Sequence, residues 1–183
     1  MDILTTNTVS NLRDVFLLFV IPVGGGIPAG VLLAKARGVD WATMSILYFI
    51  SDILLAIVFE PIMLAFVWLS KRNQFLTRLS DAVKQSTNKT IAGYGSSPGP
   101  FMLVMIAFGV DPMTGRAAAK AAGHGFIAGW AIAIMGDMIF FSIIAVSTLC
   151  LNNILGDGTW TAIIIMLAML VVPALIKRIK KQP

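Results

Sequence analysis

Gly93-Tyr94-Gly95-Ser96-Ser97-Pro98-Gly99-Pro100 is a cluster of helix breakers set inside apolar sequence. It has an earlier counterpart, Pro22-Val23-Gly24-Gly25-Gly26-Ile27-Pro28-Ala29-Gly30. Each cluster is followed by a short apolar run ending in Gly-Val-Asp, at Gly38-Val39-Asp40 and at Gly109-Val110-Asp111. Downstream of each, a membrane-length segment carries an isolated aspartate, Asp52 in the first half and Asp137 in the second. This pattern predicts a duplicated membrane unit whose broken helices meet near the middle of a bilayer.

Composition points the same way. The 183 residues are 57% hydrophobic and 13% charged, with mean hydropathy +0.87. A soluble domain carries roughly 25% charged residues. The charge deficit is concentrated in long apolar runs, so the predicted fold is an all-α polytopic membrane domain occupying residues 1–183. Net charge is +5. The basic residues lie beside apolar spans, which reads as topology signals and contacts to lipid headgroups rather than nucleic-acid binding. The single cysteine, Cys150, leaves no intrachain disulfide framework. No Cys/His cluster has metal-ligand spacing, and no metal or other cofactor is expected. The start, with Asp2 and then Arg13-Asp14 before the first apolar run, does not read as a cleavable signal peptide.

Residues 1–13 read as an interfacial segment. The first predicted repeat covers 14–69. Its first two apolar arms have at most about ten residues, ~15 Å as helix, half of a ~30 Å hydrocarbon core. Two such arms joined by breakers describe a re-entrant hairpin; a single kinked spanning helix remains the alternative. Residues 41–69 would form ~44 Å of helix, which tilts, bends at Pro61 or protrudes. In 70–90, Phe75, Leu76, Leu79, Ala82 and Val83 recur at helical spacing among Arg78, Asp81 and Lys84, predicting an amphipathic cytoplasmic linker. The second repeat covers 91–151, with 113–123 expected as a surface segment before the spanning helix. A turn is expected at 152–159, and 160–176 is the last transmembrane helix. Eleven of the 14 Lys and Arg residues face the cytoplasm if the linker, the Arg116 segment and the basic tail lie inside. The two halves then form an inverted repeat of hairpin plus transmembrane helix, as in transporters.

Three groups of residues carry candidate chemistry. Asp52, Asp137 and Glu60 are ionisable groups at membrane depth, which cost ~3 kcal/mol or more on insertion scales and usually face polar cavities. They are the candidate proton- or cation-coupling residues, with Glu60 placed nearer the cytoplasmic boundary. Arg116, Lys120 and His124 recur every four residues, so they share one helix face that could meet an anionic group. Read structurally, they are a snorkelling basic collar. The breaker residues Gly25, Gly26, Pro28, Ser96, Ser97, Pro98 and Pro100 are the candidate substrate floor. A small-residue stripe, Ala117, Ala121, Gly125, Gly129 and Ala133, allows close approach of another helix. Ser96 and Ser97 lack a Gly-x-Ser-x-Gly elbow, and Gly24-Gly25-Gly26 lacks a following Gly-Lys-Ser/Thr, so no enzyme is predicted.

Paired Gly/Pro hairpins, each followed by a membrane helix, in so short a chain resemble the DedA/VTT-like clan. Within it, the small multidrug export proteins look closest. The resemblance rests on residues 24–30 and 95–100 with the segments that follow, across most of 14–149. Gly95-Ser96-Ser97 stands where DedA proteins carry an acidic residue, and Arg116 alone represents their arginines after the second hairpin. The resemblance implies secondary transport. The expected function is proton-coupled transport of a small molecule by a homodimer in a prokaryotic inner membrane, with a cytoplasmic C-terminus. Translocation of an anionic lipid or polyprenyl phosphate through Arg116, Lys120 and His124 is the second possibility. A non-transporting assembly subunit is the third.

Overall fold

Helix starts and stops in this chain are set by a few residues with strong backbone preferences. The computed structural model describes residues 2–20, 26–70, 85, 99–109 and 112–179. Among them are seven helices and no strand: α1 (Asp2–Val20), α2 (Gly26–Ala36), α3 (Trp41–Ser70), α4 (Pro100–Gly109), α5 (Pro112–Ala121), α6 (Phe126–Leu155) and α7 (Gly158–Ile179). Pro100 and Pro112 open helices, where the missing N–H has no intrahelical partner to lose. Pro28 sits in the first turn of α2 for the same reason. Pro28 and Pro100, read as breakers, therefore act as starters. Asp40 caps α3, accepting from the Thr43 N–H at 2.9 Å and its hydroxyl at 2.6 Å. Those bonds hold its exposed carboxyl below the usual carboxylate range. Asp157 caps α7 through the Thr159 and Trp160 amides.

α2 and α5 end identically. Gly38 and Gly123 have φ of 69° and 88°, which glycine alone adopts without strain. The amide after each returns to the carbonyl five residues back, Val39 to Ala34 and His124 to Ala119, both at 2.9 Å. Around these caps one spacing recurs: Gly30-x3-Ala34-Lys35-Ala36-x-Gly38-x13-Asp52, then Gly115-x3-Ala119-Lys120-Ala121-x-Gly123-x13-Asp137. The 30-residue helices α3 and α6 obey the same shift of 85 positions at both ends. This register differs from the one expected from the two Gly-Val-Asp triplets. Gly109 closes α4, whereas Gly38 is the left-handed cap of α2. The 113–123 stretch is correspondingly not a surface segment. It is α5, which packs on α4 and buries Gly115, Arg116, Ala118 and Ala119.

The chain divides into two compact units, residues 1–51 with 141–183, and residues 52–140. In the first, α1 and α2 form a hairpin in which Gly30 lies against the Phe19 ring. Phe19 meets Tyr48 and Phe141 edge-on, with centroids 5.2 and 5.8 Å away, and Tyr48 stacks on Phe141 at 4.2 Å. α7 packs on α2. In the second, α4 and α5 form a hairpin with Gly115 against Ala107. Leu103, Val104, Ile106, Ala118, Ala119 and Ile132 make its core. Within the second unit Asp52 meets Asp137 while Phe59 and Glu60 meet Trp130, so α3 and α6 run antiparallel there.

α3 and α6 are long and apolar enough to cross a membrane, by length and composition. They expose large apolar side chains, among them Ile46, Ile57, Ile62, Trp68, Met135 and Ile143. α3 runs unbroken through Pro61. α6 continues to Leu155, so the turn expected over 152–159 shrinks to Gly156 and Asp157. Of the amphipathic linker only residue 85 is described, and the rest lies outside the described residues.

Gly136 is closely approached by α4 in the second unit. A methyl there would fall 2.5 Å from the Ala107 Cβ and 2.6 Å from the Val104 carbonyl oxygen, part of which is backbone that cannot rotate away. Gly136→Ala is expected to destabilise the purified protein by about 1–3 kcal/mol, the usual cost of overpacking. Gly125→Ala, which meets nothing within 4 Å, should stay within about 0.5 kcal/mol of the parent. Thermal unfolding in detergent measures both.

Candidate functional site

Two polar clusters lie within the second unit, and both are buried in apolar surroundings. The first joins α3 to α6. Asp52 follows Ser51, whose hydroxyl donates back to the Tyr48 carbonyl at 2.6 Å and so needs no outside partner. Asp137 follows Gly136, where the small residue lets α4 press against α6. The Asp52 and Asp137 carboxyls interact with each other and are 4% and 6% exposed. Two carboxyl groups can share a hydrogen bond only with a proton between them, because two adjacent carboxylates repel. Asp52 Oδ2 is buried and has no hydrogen-bond partner among the described residues.

The second cluster joins α3, α5 and α6. Arg116 donates to Glu60 through Nε at 3.0 Å and Nη2 at 2.7 Å. Trp130 Nε1 donates to the same carboxylate at 2.9 Å. Glu60 is 7% exposed and Arg116 2%. The forked pairing is the geometry in which arginine binds carboxylates most strongly. Its burial is tolerable because it neutralises both charges and satisfies three donors. The guanidinium lies across Gly129, where a Cβ would come 2.6 Å from Nη1. Nη1 itself is buried without a partner among the described residues.

The predicted site residues thus fall into different environments. Asp52 and Asp137 come together. Glu60 and Arg116 also come together, as one ion pair rather than as a coupling carboxylate and a headgroup contact. Arg116, Lys120 and His124 do not share a helix face, because α5 stops at Ala121 and Gly123 turns the backbone left-handed before His124. Lys120 is exposed, and His124 is half-buried in the cap of α5. Gly26 and Pro28 belong to the start of α2, with Pro28 buried, and Pro100 is exposed at the start of α4. Gly25, Ser96, Ser97 and Pro98 lie outside the described residues. The small-residue stripe also divides. Gly129 and Ala133 are buried within the unit, while Ala121 and Gly125 are exposed.

Trp130 was not among the expected residues, since an indole in an apolar helix gives no sign of the carboxylate it will meet. Comparison of the chain with protein-family models, curated proteins and solved structures found no match.

Removing the Glu60 charge strands a buried guanidinium. Glu60→Gln is expected to destabilise the protein by about 3–5 kcal/mol. The double variant Glu60→Gln/Arg116→Gln should cost clearly less than the sum of the single changes. A double-mutant cycle on thermal unfolding in detergent measures this coupling.

Proposed function

We propose that the protein is a small secondary transporter of a bacterial or archaeal inner membrane, coupled to protons through Asp52 and Asp137. The observation that carries this reading is the meeting of two buried carboxyls 85 positions apart in a chain whose long helices recur at that spacing. On this reading α1–α3 and α4–α6 are an inverted repeat of helical hairpin plus transmembrane helix. Antiparallel α3 and α6 bring the two equivalent aspartates to the centre of the repeat. Asp52 is near the middle of the 41–65 span, the depth at which such transporters hold their ions. α7 is the last membrane helix, with the basic tail on the cytoplasmic side and a second copy completing a homodimer.

Coupling follows from the pair's chemistry. With one proton shared, the pair carries one negative charge in a medium that penalises charge. A second proton neutralises it, and wetting of either carboxyl releases protons to that side. Two charge states that favour different degrees of wetting tie proton movement to opening. The cargo is a small molecule exported in exchange. The lipid-translocation alternative draws less support, because Glu60 already occupies the guanidinium assigned to the headgroup.

Purified protein in liposomes loaded with a pH-sensitive dye tests the proposal, with ethidium and tetraphenylphosphonium gradients as probes. The parent protein is expected to move protons when either gradient is imposed. Asp52→Asn and Asp137→Asn should each lower that flux at least tenfold while inserting normally and unfolding no earlier than the parent. Parental flux in both variants, or no flux in the parent, overturns it.

A further inference from the structure

The first unit contains a cavity of about 370 Å³, lined by Val31, Lys35, Trp41, Met44, Leu149 and Asn153 among others. Its size lies within the range of small-molecule sites. Its walls are mostly apolar, and its polar end is made by Lys35, whose Nζ donates to the Asn153 side-chain oxygen. An ammonium has three N–H donors, so two remain, together with the Asn153 amide N–H groups.

The 85-position register shows what the cavity lacks. At the corresponding places the second unit has Arg116 for Val31, Lys120 for Lys35, Gly129 for Met44 and Glu60 for Ala145. There the arginine side chain lies over the glycine, and Glu60 supplies a built-in anion that Arg116 binds and Lys120 reaches electrostatically. In the first unit valine and methionine leave the volume open, and buried Ala145 replaces the acid. The acids of this unit with described side chains are engaged elsewhere. Asp14 pairs with Arg37 at 2.7 Å, Asp40 caps α3, and Asp157 caps α7.

We infer that this cavity binds an amphiphilic anion, with its carboxylate or phosphate on Lys35 and Asn153 and its apolar body against Val31, Met44, Leu149 and Trp41. Binding is read without any transport step, so this inference stands or falls separately from proton coupling.

Bromodecanoate, whose bromine quenches tryptophan fluorescence, is the probe, with protein in neutral detergent. Saturable quenching is expected, lost in Trp41→Phe and weakened about fivefold or more in Lys35→Met and in Asn153→Leu. Lys35 and Asn153 are both exposed, so neither change threatens folding. Lys120→Met should bind as the parent does. Displacement by phosphatidylglycerol in mixed micelles assigns the anion to a membrane lipid. Displacement by decanoate but not by phosphatidylglycerol assigns it to a soluble amphiphile. Uncharged bromodecanol binding as tightly as bromodecanoate, or parental affinity in Lys35→Met, overturns the inference.

Discussion

The meeting of the Asp52 and Asp137 carboxyls is the interaction on which the proposed account depends. Both side chains sit within long apolar helices, where an isolated carboxylate is among the costliest groups to bury. The chain places them against each other. The Glu60–Arg116 pair, within the same unit, shows the contrast. There a carboxylate meets a guanidinium that keeps its charge at any relevant pH, so the pairing is fixed. On the proposed reading one acid is locked and the other two exchange protons. That difference separates a structural tie from a candidate coupling site.

Close approach through small residues makes both arrangements possible. Gly30 against Phe19 and Gly115 against Ala107 draw each hairpin together at equivalent places in the register. Beyond those shared positions the two units differ. The first has an aromatic cluster of Phe19, Tyr48 and Phe141, where the second has small and aliphatic residues. At positions 31 and 116 a valine faces open volume in one unit and an arginine is buried in the other. A repeat that keeps its caps and glycines while exchanging its polar residues can hold different chemistry in each half.

Much of this was legible before any coordinates. Long apolar runs and sparse charge announced helices that bury their backbone hydrogen bonds internally, and Asp52 and Asp137 stood out because ionisable residues are rare in such runs. What misled was punctuation. Gly-Val-Asp occurs twice, but only Gly38 uses its glycine as a left-handed cap; the matching cap is Gly123, hidden in Ala-Lys-Ala-Ala-Gly-His. The regular spacing of Arg116, Lys120 and His124 looked like a helix face because the cap at Gly123 was missed. Glu60 and Arg116, 56 positions apart, could not be paired from spacing at all, since only the packing of α5 against the long helices brings them together.

The central claim is that equivalent acids of the two halves face each other inside the bilayer. Its most direct test is chemical cross-linking of Asp52→Cys/Asp137→Cys in native membranes, in a Cys150→Ser background. A short bis-methanethiosulfonate reagent should join the two cysteines in the same chain, detected as an accelerated band after denaturation. If the double variant inserts normally and each cysteine is modified singly but the two never cross-link, the aspartates do not meet and the coupling site does not exist.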